Sequence, residues 1–201
     1  MLRVDAPIET ERPRLRRFAM GDLDGLAAIQ SRPEVARFLY WEPRRREEVE
    51  PALAKFIAEE EIAGEEDDEA ISLAVERREG GALLGYVSIW LRSCRHRQVE
   101  IGFVFHPDGQ GHGYAGEAAR MLLALAFGEL GAHRVFGRTD ERNEASAALM
   151  RRLGMRQEAH FREAEIFKGE WGGELVFAIL EHEWPPTQAP HSPPPAVGPI
   201  T

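Results

Sequence analysis

The sequence predicts an α/β fold in which one mixed β-sheet is flanked by helices. Three apolar, β-branched segments follow one another with short links at 70–75, 82–91 and 99–105, which is typical of an antiparallel meander. A helical segment then separates the last of these from another strand, and this order predicts one parallel strand pair. The chain has 201 residues, 43% of them apolar, which is enough for one domain with a core.

The N-terminal part is predicted to hold one strand and three helices. The strand covers residues 15–18, and the helices are expected at 21–30, 33–39 and 47–62. Gly64 is expected to end the third helix, as a C-terminal glycine commonly does. The acidic run Glu65–Glu69 that follows is interpreted as a solvated loop, with attraction of a cationic substrate as the alternative.

The C-terminal half alternates helices and strands before it ends in a tail. Helices are predicted at 113–130 and 143–153, and strands at 133–138, 156–167 and 175–181. Residues 168–173, with the sequence KGEWGG, are read as a hairpin turn. Residues 185–201 contain seven prolines and no charged side chain, so we predict a Pro-rich tail outside a single domain at 1–184.

Composition and charge exclude several classes of protein. The formal net charge is −9 and the basic clusters are short, so no nucleic-acid partner is expected. No apolar run is long enough to span a membrane, and the charged N-terminus does not resemble a secretory signal. Cys94 is the only cysteine, so no disulfide within the chain and no thiolate metal site are expected, and a cytoplasmic location is predicted. The histidines show no metal-ligand spacing either.

Two phosphate-binding patterns overlap in the glycine-rich stretch FHPDGQGHGYAGEAA at 105–119. One is G-x-G-x-x-G, typical of dinucleotide-binding folds, and the other is Q-x-x-G-x-A, typical of loops that bind the pyrophosphate of coenzyme A. The first pattern needs a buried strand that runs directly into its first glycine. Here residues 106–110 intervene before Gly111, so the dinucleotide pattern is the less favoured alternative. The second pattern places free backbone N–H groups of a helix N-terminus around an anion.

Three sequence blocks, at 99–118, 138–155 and 168–180, together resemble the Gcn5-related N-acetyltransferase (GNAT) superfamily, and within it the bacterial ribosomal-protein-alanine acetyltransferase type. The resemblance covers about residues 13–184. It implies that the sheet splays open at the parallel strand pair and that acetyl-CoA lies in the gap. By resemblance, the backbone of Phe103, Val104 and Phe105 pairs with the pantetheine arm and Asn143 contacts the same arm. The pyrophosphate is then held by Gln110, Gly111, His112, Gly113, Tyr114 and Ala115.

Acetyl transfer to an amine needs a base, and Glu100 is the candidate. It lies at the start of the predicted strand 99–105 and faces away from Ile101 and Phe103. The alternative is a structural carboxylate in a cross-strand pair with Arg92 or Arg95.

Ser146 is the candidate proton donor to the leaving thiolate. Many members of the superfamily carry a tyrosine where this chain has Met150, and Ser146 lies on the same helix face as Asn143. The alternative is a small residue that packs its helix against the sheet. Three aromatic residues in predicted loops either line the acceptor site or cover core edges: Tyr40, Trp41 and Trp171.

The sequence therefore predicts an acetyl-CoA-dependent N-acetyltransferase that acts by direct attack of a primary amine in a ternary complex. The acceptor is a protein N-terminus by analogy with the family, or a small amine such as a polyamine, an amino acid or an aminoglycoside. A non-catalytic acyl-CoA-binding sensor with the same fold is the alternative. A homodimer is possible, although the composition does not require one.

Overall fold

The structure is a computed structural model that describes residues 1–184. The predicted Pro-rich tail, 185–201, lies outside the described residues. In chain order, the strands are β1 (Leu2–Arg3), β2 (Ile8–Glu9), β3 (Pro13–Arg17), β4 (Glu61–Ile62), β5 (Glu69–Arg77), β6 (Leu83–Ser93), β7 (Gln98–Phe105), β8 (Arg134–Asp140), β9 (Arg156–Phe167) and β10 (Glu170–Leu180). The helices are α1 (Leu23–Gln30), α2 (Pro33–Ala36), α3 (Arg46–Ala58), α4 (Tyr114–Gly128) and α5 (Glu144–Arg152).

Eight strands form one mixed sheet in the order β2-β3-β5-β6-β7-β8-β10-β9. Strands β5, β6 and β7 form the predicted antiparallel meander, and β7 and β8 form the predicted parallel pair connected by α4. The fold class is therefore confirmed. Strands β1 and β4 form a separate two-stranded ribbon.

Strands β7 and β8 pair over three positions and then separate. Gln98 lies opposite Arg134, Val99 opposite Val135, and Glu100 opposite Phe136. Within residues 1–184, the rest of β7 has no strand partner on this side, although it pairs with β6 as far as Phe105. The sheet therefore opens into a gap at the centre of the molecule.

Helices cover both faces of the sheet. One core cluster joins apolar side chains of α4 and α5, such as Leu122 and Met150, to those of the strands, such as Leu73 and Ile101. The other cluster joins α1 and α3 to the opposite face through Leu26, Val49, Ala74 and others. Leu73 belongs to the first cluster and Ala74, the next residue of β5, belongs to the second. Neighbouring side chains thus point to opposite faces, as expected for a strand that is covered on both sides. None of the described helices is long and apolar enough to cross a membrane.

Two boundaries differ by more than three residues from the sequence-based predictions. The third helix ends at Ala58 because Glu59 leaves the helical conformation (ψ 80°), and residues 61–62 form β4, where Ile62 pairs with Leu2 and is fully buried. The C-terminal hairpin turns at Lys168 and Gly169, which both have positive φ, so β10 begins at Glu170 rather than at residue 175. Segments of two residues such as β1 and β2 carry too little periodicity to be predicted.

A buried ion-pair network connects β3 to β5. Glu76 accepts hydrogen bonds from Arg14 and from Arg16, whose Nε lies 2.5 Å from Oε2, and Arg16 also binds both oxygens of Asp22 at 2.7 and 2.8 Å. Burial raises the pKa of Glu76 and Asp22, but the guanidinium hydrogen bonds outweigh it and hold the pKa of both below the ordinary range. The network therefore stabilises the fold in its ionised form.

Replacing Glu76 by Gln is expected to destabilise the protein by about 2 kcal/mol at pH 7, because Arg14 loses its carboxylate partner and Arg16 keeps only Asp22. Urea unfolding measures the loss. Because the folded pKa values are depressed, this contribution is complete at neutral pH and disappears as the pH falls below about 4.5 through the folded pKa values, so the difference between variant and wild type shrinks in acid. Glu79→Gln, in an exposed turn, is the matched control. Equal stability of the two variants at pH 7 would contradict the role of the network.

Candidate active site

The gap between β7 and β8 contains two cavities that meet at its centre. The inner cavity, of about 370 Å³, lies beside Trp90, Glu100, Arg138 and Glu174. The outer cavity, of about 610 Å³, lies beside residues 109–116 and the facing ends of α4 and α5. Both are lined by Phe38, Leu39, Phe103, Val104, Asn143 and Ser146. These volumes are in the ordinary range for ligand sites in proteins.

The glycine-rich loop forms the wall of the outer cavity at the N-terminus of α4. Gly111 and Gly113 have φ of +77° and +82°, conformations that L side chains rarely adopt, and Gly113 is the N-cap of α4. The first N–H groups of α4 have no partner within the helix, and the positive end of the helix dipole points to the same place. The loop therefore has the geometry of an anion site built mainly from backbone.

Arg12, which is close to the N-terminus, holds this loop in place. Its guanidinium donates to the carbonyl of His112 and to the carboxylate of Glu117, which also accepts hydrogen bonds from the Arg12 N–H (3.0 Å) and from Thr10 Oγ1 (3.0 Å). Burial raises the pKa of Glu117, but these hydrogen bonds outweigh it and lower the pKa below its ordinary value. The loop is thus fixed by a contact between residues about a hundred positions apart in sequence.

Asn143 and Ser146 lie where the two cavities meet. Asn143 is the N-cap of α5, and its Oδ1 accepts a hydrogen bond from the Ser146 N–H at 3.1 Å. Ser146 is partly buried and borders both cavities. Met150, the residue that stands in place of the superfamily's tyrosine, is buried and borders the inner cavity.

Glu100 is buried at the wall of the inner cavity, at the last paired position before the strands separate. Arg92 Nε lies 2.7 Å from Oε2, and Arg138 Nε lies 3.0 Å from Oε1. The cross-strand pair with Arg92 that the sequence suggested as an alternative is therefore present, and a second guanidinium binds the other oxygen. These contacts occupy lone pairs that a base would need.

Sequence reasoning missed Glu174, a second carboxylate of the inner cavity. It is partly buried, no side-chain hydrogen bond to it is found within residues 1–184, and Arg138 Nη1 lies 3.6 Å away. Burial raises the pKa of Glu174 above its ordinary value, and the carboxylates of Glu165 and Glu100 add to this shift while Arg138 opposes it. Its lone pairs are available, so it can accept a proton.

The segment 38–41 covers the inner cavity from outside the sheet. Tyr40 donates a hydrogen bond to Glu165 at 2.6 Å, which raises the pKa of Tyr40 to about 12. Lys168 Nζ donates to the carbonyls of Ala36 (3.0 Å) and Trp41 (2.9 Å). Of the three aromatic residues considered for the acceptor site, Tyr40 and Trp41 line the inner cavity. Trp171 does not line it and is exposed.

The structure brings most of the predicted site residues together. Ten of them line one or both cavities: Glu100, Phe103, Val104, Phe105, Gln110, Gly111, Gly113, Ala115, Asn143 and Ser146. His112 and Tyr114 lie in the loop but do not line either cavity, and their rings lie 5.8 Å apart. Within the described residues, no three His, Cys, Asp or Glu side chains are grouped as metal ligands would be.

The gap combines an open backbone edge with a helix N-terminus that faces a cavity. An unpaired strand edge at 101–105 offers backbone partners to an amide-containing arm, and residues 111–115 offer backbone N–H groups to an anion, whereas the Gln110 N–H already donates to the Pro107 carbonyl at 3.0 Å. A Cβ at Gly113 would lie 2.6 Å from Arg12 Nη2, so the guanidinium that holds the loop would have to move.

Comparison with known proteins identifies the class of enzyme. The family model for an acetyltransferase (GNAT) domain matches residues 12–156. The uncharacterized N-acetyltransferase YnaD of Bacillus subtilis (strain 168) is 36% identical over 117 residues, which cover 58% of this chain and 68% of that protein. The spermidine N(1)-acetyltransferase of Escherichia coli (strain K12) is 25% identical over 89 residues, 44% of this chain and 48% of that protein.

A solved structure shows the same architecture over nearly its whole length. A GNAT-family acetyltransferase from Bacillus anthracis superposes with a TM-score of 0.77 at 26% identity, covering 88% of this chain and 99% of that one. The chain belongs to the acetyltransferase (GNAT) domain family. It is an N-acetyltransferase, and its acetyl donor is acetyl-CoA. The comparisons do not identify the ribosomal-protein-alanine type within this family.

Replacing Gly113 by Ala is expected to weaken binding of CoA at least about tenfold, because the new Cβ meets Arg12 and the residue keeps a strained positive φ. Isothermal titration calorimetry measures the dissociation constant. Gly128→Ala, near the other end of α4 with no atom within 4 Å of the new Cβ, is the matched control and should bind CoA as wild type does. Unchanged affinity of the Gly113 variant would contradict the assigned role of the loop.

Proposed function

We propose that the protein transfers an acetyl group from acetyl-CoA to a primary amine by direct attack within a ternary complex. The observation that supports this proposal is the opposite charge of the two cavities that meet in the gap. The outer cavity is lined by three arginines and one carboxylate: Arg12, Arg120, Arg152 and Glu34. The inner cavity is lined by four carboxylates and one arginine: Glu100, Asp140, Glu165, Glu174 and Arg138. The outer end suits phosphates, and the inner end suits a protonated amine.

Backbone groups of the gap orient the acetyl donor in this proposal. The edge at Phe103–Phe105 pairs with the pantetheine arm, and Asn143 contacts the arm from α5. The loop at 110–115 holds the pyrophosphate: residues 111–115 donate backbone N–H groups, and Gln110 contributes its side chain because its N–H already donates to Pro107. When bound, acetyl-CoA supplies a thioester carbonyl that is open to attack. A strand N–H at this edge is suited to stabilise the negative charge on that carbonyl oxygen.

A direct transfer agrees with the position of Cys94. This thiol lines neither cavity, and its pKa is raised by desolvation and by the neighbouring carboxylate of Asp67. A covalent acyl-enzyme would need a nucleophile in the gap with access to the thioester. The amine of the acceptor is therefore the nucleophile in this proposal.

The amine must lose a proton, and Glu100 is the predicted base. Because Arg92 and Arg138 already bind the Glu100 carboxylate, Glu174 is a second candidate for the base. Glu174 has free lone pairs and a raised pKa. Ser146 is proposed to donate a proton to the leaving thiolate, because it borders both cavities and its hydroxyl is a hydrogen-bond donor.

The acceptor is proposed to be a primary amine that carries positive charge at neutral pH. A protein N-terminus follows from analogy with the ribosomal-protein-alanine type, and a polyamine follows from the relative named as a spermidine acetyltransferase. The cytoplasm as location and a homodimer remain predictions.

An assay of free-thiol release with acetyl-CoA and a panel of amines tests the function. The panel contains polyamines, amino acids, aminoglycosides and peptides with free N-termini. We expect release above the hydrolysis background with at least one class, and mass spectrometry should find the acetyl group on its amine. If no acceptor reacts while CoA binds tightly, the alternative of a non-catalytic acyl-CoA sensor is favoured and the proposal fails.

Replacing Glu100 by Gln is expected to lower turnover at least about tenfold while leaving the affinity for CoA nearly unchanged, because an amide cannot accept the proton. Steady-state kinetics and calorimetry with CoA measure the two quantities separately. Glu174→Gln is the parallel variant. Full turnover in the Glu100 variant together with a large loss in the Glu174 variant would assign the base to Glu174 and contradict the prediction for Glu100.

The same measurements test Ser146. Ser146→Ala should lower turnover and leave CoA affinity intact if the hydroxyl donates a proton. If Ser146 only packs the helix, both turnover and CoA affinity should stay unchanged, because Ala keeps the small volume.

A further inference from the structure

We infer that Arg120 and Arg152 bind the 3′-phosphate of coenzyme A. The inference rests on the proposed position of the pyrophosphate at residues 110–115. Coenzyme A carries two anionic groups close together, the pyrophosphate and the phosphate on the adjoining ribose. The loop offers backbone N–H groups for the first, and the second, with up to two negative charges, needs a separate partner.

Both arginines line the outer cavity, Arg120 from α4 and Arg152 from α5. A Cβ on Gly116 of α4 would lie 3.9 Å from Arg120 Nη1 and 4.0 Å from Leu149 Cδ1 of α5, so the two helices approach each other beside Arg120. Arg152 follows Leu149 by three residues and therefore lies on the same side of α5.

Neither arginine has a counter-ion within residues 1–184. For Arg120 the structure supplies the reason. Its natural helical partner is Glu117, three residues earlier, but Arg12 and Thr10 already bind that carboxylate. Arg152 has no acidic residue three or four positions before it. In a chain with a net charge of −9, two cations without partners therefore face one cavity.

Arg151, beside Arg152, shows the contrasting arrangement. Its guanidinium lies 5.1 Å from the centre of the Phe177 ring and donates a hydrogen bond to Gln157 Oε1 at 3.3 Å. Arg151 thus has contacts within the protein and does not line the outer cavity, although it shares the last turn of α5 with Arg152.

The position of Arg120 along α4 fits a group just beyond the pyrophosphate. It lies six residues after Tyr114, or about 9 Å along the helix axis, and helical side chains lean back toward the N-terminus. A guanidinium group there can bind a phosphate in a bidentate manner, which a backbone N–H cannot do.

Calorimetric titration with CoA and with dephospho-CoA, which lacks the 3′-phosphate, tests the inference. Wild type should bind CoA at least about tenfold more tightly than dephospho-CoA, as expected for lost charge-assisted hydrogen bonds. The double variant Arg120→Ala/Arg152→Ala should bind CoA about as weakly as dephospho-CoA, and its affinity for dephospho-CoA should equal that of wild type.

Arg151→Ala removes the same charge from the same helix turn and should keep the preference for CoA. Thermal melting shows whether each variant is folded, and the single variants report each arginine separately if the double variant is not. Equal binding of CoA and dephospho-CoA by wild type would overturn the inference and leave the proposed function intact. Equal weakening of both ligands in the double variant would also overturn it, because the arginines would then contact another part of the molecule. If wild type binds neither ligand, the proposed function itself fails.

Discussion

The separation of β7 from β8 after three paired positions is the constraint on which the site depends. Each strand is held along its other edge, β7 by β6 and β8 by β10, so the gap is maintained by two antiparallel ladders. Gly137 of β8 lies just after the last paired position, and a Cβ there would lie 2.9 Å from Met150 Sδ, so the glycine leaves room for α5 to pack beside the gap. The edge of β7 that is left without a strand needs hydrogen-bond partners, and the amides of a ligand can supply them.

Glu100 connects this architecture to the chemistry because it occupies the last paired position before the gap. Its carboxylate holds Arg92 on the neighbouring strand β6 and Arg138 on β8. Burying a carboxylate is unfavourable unless it is paired. The ion pairs with Arg92 and Arg138 therefore stabilise Glu100 at this buried position. The same contacts bring Arg138 next to Glu174, and the inner cavity thereby combines a paired carboxylate with a freer one.

Local sequence patterns were sufficient to predict the architecture and the glycine-rich loop, whereas contacts between distant residues were not accessible. The meander and the strand–helix–strand unit show clear two-residue and helical periodicity, and Gly111 and Gly113 mark a loop that needs positive φ. By contrast, Arg12 reaches the loop from about a hundred positions away. Glu174 follows the glycine pair 172–173, and that pair predicts a turn because glycine more often marks turns than strands.

The distribution of charge explains how an acidic protein can hold a polyanion. The net charge of −9 acts over the whole surface and is screened beyond about 8–10 Å, whereas the loop and the helix end act at contact distance. Glu117 places a carboxylate in the first turn of α4, but Arg12 neutralises it and directs a guanidinium at the loop carbonyl of His112. The proposed pyrophosphate site is therefore shielded from this carboxylate, and in the proposed function the acidic inner cavity attracts the amine. The proposal thus has one gap orient two ligands of opposite charge toward each other.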